Sequence, residues 1–523
     1  MSGEHVLKRT TIATMIAVIM ALSSLAPLMS LSSQENSTLD DNPLSMRSHD
    51  ENSISVSSSN ANVTNDSISL PASSTNRTVS IHTSGYSVGS AYSLEWSAMT
   101  ENSSSNEWVP ENRSVSWESP TSIHTTDNVG EHTSIAVGDD GSIHISYVDK
   151  SNQDLMYAKF EAGTWSYQTV YSSGNTGRYT SIALDDNGNA HVSFYHLSTK
   201  DLMFAWISET GAHTVETIDS AGDVGMYTSL AIDGNDNRHI SYYDETNGEL
   251  KLANRLDGSW ATSTIDSSSD DLGLLTSIAV ESNGVAHISY CDSSSMRLKY
   301  ATNSSGSWVT TSDFNGSYLE MSCFENSKTS IALDSDNDAH IAHFNEGDLK
   351  LASQWNSTWQ PTVWVDTAGN VGQYPSLEVG QNDSLHIAYQ KGESTELKYA
   401  TNANGTWEDW TLDGSSDAVG KWISLALDSA GLPHISYHDN TNKDLKYTRI
   451  ISINEDNHSS DHLWGRSTWA AQSGADQTHY AELGSLQQGC YDFKVELFEN
   501  GNLSQSGFWH LAINQDDLVH AIR

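Results

Sequence analysis

The chain repeats itself, and the repeat constrains the fold more than any other feature. Tyr179 to Phe204 reads YTSIALDDNGNAHVSFYHLSTKDLMF. Its first half is an apolar run, a turn rich in Asp, Asn and Gly, then His-Val-Ser-Phe, and this pattern recurs along most of the sequence. The histidine sets the register: His144, His191, His239, His287, His340, His386 and His434 follow one another at steps of roughly 46 to 53 residues, the period of propeller blades and related arrays. An eighth copy, Phe508 to Ile522 with His520, closes the sequence.

Each copy reads as four short antiparallel strands. The first is of the TSIAL type (Thr180–Leu184, Thr228–Ile232), and the polar turn after it suits a hairpin with positive φ. The second is of the HISY type (His434–Tyr437) and the third of the DLKYA type (Glu396–Ala400). A Gly-Ser/Thr-Trp turn leads into the fourth, and connectors such as SAGDVGMY (Ser220–Tyr227) lead to the next copy. Four strands per repeat with no helical pattern predict an all-β chain folded as a β-propeller. The last copy stops after its second strand. Ser116–Gly130 supplies a fourth strand and connector, and Tyr92–Met99 a third. Sharing one blade between the two chain ends hides two sheet edges and predicts eight blades; seven blades with a stray last hairpin is the alternative.

The flanks differ in kind. Lys8 and Arg9 precede a mostly apolar run ending at Leu31, so residues 1–31 read as a signal peptide or an N-terminal anchor. Residues 32–85 are rich in Ser, Asn and Thr and read as a disordered stalk carrying sequons at Asn36, Asn62, Asn65 and Asn76. Residues 86–523 form the propeller, interrupted in blade seven by an insertion at 452–489. Location is therefore secreted or cell-surface. Membrane contact would come only through the N-terminal anchor.

Charge excludes some partners. With 25 Lys and Arg against 67 Asp and Glu, the net charge of −42 repels nucleic acid and anionic lipid. No metal or redox motif joins the three cysteines. Cys291 ends a second strand and Cys323 lies in an unusually long connector. Both leave the same face of the blade, so an exported protein would pair them and leave Cys490 free.

The recurring histidines head different blades and cannot converge on one metal. His144, His191, His239, His287, His340, His386, His434 and His520 are expected to be structural, buried and hydrogen-bonded. Turns such as DSDND (Asp334–Asp338) lack the ligand spacing of a calcium loop, so no cofactor is expected, with weak calcium binding left open. The candidate ligand-binding residues sit just before the first strand: Tyr179, Tyr227, Tyr374, Trp422 and Trp509, with Arg178 and Lys421 beside them. In a propeller the first strand lines the channel, so these residues should ring one mouth, where aromatic faces beside polar groups suit sugars or peptides.

The Gly-Thr-Trp and Gly-Ser-Trp turns at Trp165, Trp260, Trp308 and Trp407 look like the tail of an Asp-box. From about Tyr92 onward the chain resembles secreted sialidase-like and lectin-like propeller repeat proteins of that type. The resemblance implies a glycan-related role. A sialidase of this kind would need three clustered arginines with a Tyr–Glu pair and an Asp. Of Arg178, Arg238, Arg255, Arg297 and Arg449, only Arg178 sits at the mouth, so no triad assembles. The preferred reading is a non-enzymatic binding propeller whose partner is a glycan or an extracellular protein. A sialidase-like glycoside hydrolase and a structural cell-envelope module are the alternatives.

Overall fold

The computed structural model describes residues 55–57, 62–63, 67–71, 78–83, 91–99 and 112–514, the last with a few short breaks. The export segment 1–31 and His520 lie outside the described residues. Regular structure among the described residues is almost all strand, and the 3-10 turn Glu325–Ser327 is the exception that bears on the site.

Six of the seven repeats headed by His144 to His434 form their own antiparallel sheets with the TSIAL strand at one edge, and the seventh, likewise edged by its TSIAL strand, is the end of an 11-stranded sheet. In the second sheet, Arg178–Leu184, Ala190–His196, Asp201–Ile207 and His213–Asp219 pair in sequence order. The TSIAL strand is thus a sheet edge with unpaired amides, normally a liability. Its serines resolve this. Ser134 Oγ accepts from Ile182 N–H, Ser181 from Leu230, Ser229 from Ile278, Ser277 from Ile331, Ser330 from Leu377 and Ser376 from Leu425, at 2.9–3.2 Å. Ser424 Oγ then accepts from Ile135 N–H at 3.1 Å, so the seventh inner strand bonds back to the first. A second relay joins the same neighbours where Thr180, Thr228, Thr276, Thr329 and Thr133 hydrogen-bond Ser146, Ser193, Ser241, Ser289 and Ser436.

The strands assigned to an eighth blade go elsewhere. Thr121–His124 pairs with Asp444–His458 and becomes the fourth strand of the seventh sheet. Ala91–Met99 pairs with His462–Ala470 and with Gly489–Glu499, and the latter pairs with Asn502–Asn514. None of these joins a repeat sheet as a third or first strand. The 15-residue strand Asp444–His458 explains the outcome: its first half belongs to the seventh sheet, and its second half runs on to pair with Asn112–Trp117 and His462–Ala470.

The stalk reading is corrected in part as well. Ser55–Ser57, Asn62–Val63, Ser67–Pro71 and Thr78–Thr83 are strands, paired with Gln477–Glu482 and Asn502–Asn514 among others. The N-terminal segment, the insertion and the C-terminal strands therefore build one β-module. Alternation decides it: Tyr92, Leu94, Trp96 and Ala98 are buried and the residues between them only partly so. They share a core with Ile68, Val79, Ile81, Trp469, Phe493, Val495 and Leu497. Low overall hydrophobicity concealed these short alternating runs.

Adjacent repeat sheets meet closely at the connector glycines. Gly225 has φ +102°, and a Cβ there would stand 2.7 Å from Leu202 Cα of the preceding sheet. Gly225→Ala therefore combines backbone strain with overpacking and is expected to cost about 2–5 kcal/mol. Gly258→Ala, at φ +83° with open space around it, should cost only about 1 kcal/mol. Urea titration of the two variants checks the difference.

Candidate ligand-binding site at the channel mouth

The residue just ahead of the TSIAL run of each inner strand carries the site. His132, Tyr179, Tyr227, Leu275, Tyr374 and Trp422 have φ between 48° and 57°, the left-handed region that side chains adopt only at a cost. At Tyr179, Tyr227, Leu275 and Trp422 the pairing with the second strand shifts register across the same residues. The fifth sheet places Lys328 there instead, after the 3-10 turn and with an ordinary φ of −43°.

Five rings form a continuous arc. Tyr227 and Tyr179 lie 4.5 Å apart, Tyr179 and His132 4.8 Å, His132 and Trp422 5.0 Å, and Trp422 and Tyr374 6.2 Å, measured between centroids. Leu275 and Lys328 line the cavity beneath the arc. Glu325, on the 3-10 turn, reaches over the arc: its carboxylate accepts from Trp422 Nε1 at 3.3 Å and lies 3.7 Å from His132 Nδ1. Burial holds the His132 imidazole well below its usual pKa, with Arg178 and Lys328 adding to the effect, so it is neutral. Burial also lowers Lys328, and Glu325 acts in the opposite sense. Tyr179 and Tyr227 are raised, chiefly by burial.

Below the arc lies a cavity of about 200 Å³, lined by the Thr and Ser relays and by Ile or Leu of the inner strands. Glu378 also lines it. In the other six repeats this position is alanine (Ala136, Ala183, Ala231, Ala279, Ala332 and Ala426). Burial alone raises the Glu378 carboxyl to about 7.

Of the residues singled out from sequence, Tyr179, Tyr227, Tyr374 and Trp422 come together in the arc. Lys421 Nζ lies 6.0 Å over the Trp422 ring, and Arg178 pairs with Tyr195 on the rim strand beside Tyr179. Trp509 does not join them. It stands opposite Phe493 in the β-module formed by the two ends of the chain, because Asn502–Asn514 is not an inner strand. His132, Glu325, Lys328 and Glu378 were missed. Aligning the inner strands column by column reveals His132, Lys328 and Glu378 as departures; Glu325 lies outside the repeat and gives no such signal.

The recurring histidines sit at the other end of the inner strands, in the hairpins. Nδ1 of His144, His287, His386 and His434 lies 2.5–2.7 Å from a third-strand tyrosine hydroxyl. Nε2 of His191, His239, His287, His340 and His434 lies 3.1–3.3 Å from a carboxylate of the preceding turn. The turn carboxylates are occupied too: Asp185 Oδ1 accepts from the Asn187 and Asn189 amides. Among the described residues no group of three or more His, Cys, Asp or Glu is placed to hold a metal ion. Cys291 and Cys323 form a disulfide, with Cα atoms 5.9 Å apart, at the root of the connector that carries Glu325.

No family model matches the chain, and no curated protein matches it. Similar solved structures include the fucose-recognising, six-bladed lectin of the fungus Aleuria aurantia, at 11% identity over 56% of this chain and 97% of the lectin, with a TM-score of 0.39. A leech intramolecular trans-sialidase matches at 10% identity, covering 63% of this chain and 69% of that one, with a TM-score of 0.35. A Dyadobacter fermentans protein of unknown function matches at 10% identity, covering 64% and 98%, with a TM-score of 0.39. At these identities and scores the likenesses carry no argument about site or activity.

Proposed function

We propose that the seven repeat sheets close into a seven-bladed propeller, and that the chain is an exported, non-enzymatic binding protein that holds a glycan or an extended protein segment across the aromatic mouth. The arc of five rings carries this reading. Rings packed side by side over a cavity, tilted 45–68° to one another on a backbone held in a costly conformation, give an apolar surface with polar edges that sugar rings and peptide segments fit. Glu325, Lys328, Arg178 and Lys421 supply the hydrogen-bonding edge. The acidic surface elsewhere favours neutral or cationic partners over anionic ones.

Binding to a glycan array, with and without chelator, is the test. Trp422→Ala is expected to weaken the strongest array signal at least tenfold, since a stacked ring contributes about 1–3 kcal/mol. Tyr227→Ala should weaken it less, because its ring lies at the end of the arc. Unchanged binding in both variants removes the mouth as the site. Release of sugar from a fluorogenic glycoside panel overturns the non-enzymatic reading.

A further inference from the structure

Glu378 is the one carboxylate at the floor of the channel, and nothing in the fold requires it. Six of the seven repeats manage with alanine in its place. The four-residue spacing from Tyr374 puts it deeper than the aromatic arc. No hydrogen bond or ion pair engages its carboxyl among the described residues, and it lines the cavity.

Its surroundings are backbone carbonyls and the serine and threonine hydroxyls of the relays, which can accept as well as donate. In an antiparallel strand, the N–H and C=O of one residue leave from the same edge. The seven Ile and Leu amides that donate to the serine relay face inward, so the carbonyls of those seven residues face inward as well. The deep cavity is therefore edged by backbone oxygens at the level next to Glu378. A ring of neutral acceptors with one carboxylate matches a single positive charge that brings its own N–H donors. A divalent ion would need more anionic ligands than the described residues supply.

The charged groups facing this position are few. Lys328 and Lys421 begin the flanking inner strands and stand at the rim, Lys328 beside Glu325. His386, opposite Glu378 on the paired strand, is tied to Tyr399 and Ser384 at 2.6 and 2.9 Å. The rim carries Arg178, Lys328 and Lys421 against Glu325, and the floor is anionic when Glu378 is ionised.

We infer that the channel floor is the binding position for a primary ammonium group, carried on a narrow stem by the ligand that the mouth holds. A cavity of about 200 Å³ admits an aminoalkyl chain or an amino-sugar ring. The arc above it would pack the apolar part. This deepens the mouth-binding proposal and rests on it.

Calorimetric titration of the full chain with n-butylammonium, with glucosamine and with Nα-acetyl-lysine amide tests it. At least one of the three should bind, and n-butanol, potassium and calcium alone should not. Glu378→Ala, which restores the residue of the other repeats and so preserves the fold, should weaken binding at least tenfold, as should Glu378→Gln. Binding of n-butylammonium or Nα-acetyl-lysine amide to the wild type should be about tenfold tighter at pH 8 than at pH 6, because the carboxyl must ionise while these amines stay protonated. Equal binding of n-butanol, or binding unchanged in Glu378→Ala, overturns the inference. If Trp422→Ala abolishes the array signal while Glu378→Ala leaves all binding intact, the mouth stands and the ammonium position falls. If neither variant changes anything, both fall.

Discussion

Asp266→Ala should destabilise the fold by about 3–5 kcal/mol, the range for removing one partner of a buried ion pair. Asp266 ends the fourth strand of the third sheet, and its carboxylate accepts from Tyr290 OH at 2.6 Å and Lys299 Nζ at 2.5 Å, both on the fourth sheet. All three side chains are buried. Alanine would leave the buried Lys299 ammonium with the Ser268 hydroxyl, 3.3 Å away, in place of a carboxylate. The same clamp joins Asp219 to Tyr242 and Lys251, Asp366 to Tyr389 and Lys398, and Asp413 to Tyr437 and Lys446.

The seam between the first and second sheets shows what can replace the clamp. There the three positions hold Tyr171, Phe194 and Met203, and the Tyr171 and Phe194 rings pack 6.0 Å apart. Asp, Tyr and Lys have been exchanged as a set. The triple variant Asp266→Tyr, Tyr290→Phe, Lys299→Met should therefore recover most of the stability lost in Asp266→Ala, to within about 1.5 kcal/mol of wild type. Urea midpoints of the three proteins decide it. A triple variant no better than the single one would mean that the clamp is not an exchangeable unit.

This seam also shows which parts of the structure were legible in the sequence. Relations inside one repeat were: the strand order, the polar turns and the buried histidines follow from local pattern. Relations between repeats leave paired departures that a single-copy reading passes over. Where the inner-strand threonine becomes Pro375 or Ile423, its serine partner on the preceding sheet becomes Ala342 or Ala388. Such pairs identify neighbouring sheets. The ends of the chain gave no such signal. Ser116–Gly130 matches a fourth strand in any sheet, and only its pairing with Asp444–His458 assigns it to the seventh. Phe508–Ile522 imitates a repeat in composition, yet Asn502–Asn514 pairs with Gly489–Glu499 at the C-terminal end of the chain. Trp509 went astray for that reason, and Glu378 was overlooked because one acidic residue among 67 stands out only against its own column.

The fifth repeat carries a departure with consequences for pH dependence. His343 occupies the column held by Tyr in five repeats and by Phe194 in the second. It is buried, and neither ring nitrogen has a hydrogen-bond partner among the described residues. Burial pushes its pKa down to about 3, with Lys350 contributing. His438, beneath Trp422, is also pushed down to about 3 by burial first, and His144 to about 4. The folded protein therefore keeps these rings neutral, while the unfolded chain protonates them near pH 6.5. Below that pH the unfolded state binds more protons, and each such histidine removes up to about 1.4 kcal/mol per pH unit until its folded pKa is reached. Glu378 works in the opposite sense between its ordinary carboxylate range and about 7, but it is one group against at least three. The clamp carboxylates Asp219, Asp266, Asp366 and Asp413 are raised by burial but lowered further by their Lys and Tyr partners, so they add acid sensitivity only below about pH 4. Thermal midpoints are thus expected to fall steadily from pH 6.5 downward, well before the carboxylates titrate. His343→Phe should flatten that slope by the equivalent of one proton between pH 6.5 and 4, while leaving the decline below pH 4 in place. A slope that is unchanged in His343→Phe would show that this ring is protonated in the folded protein, and that the fourth and fifth sheets part around it.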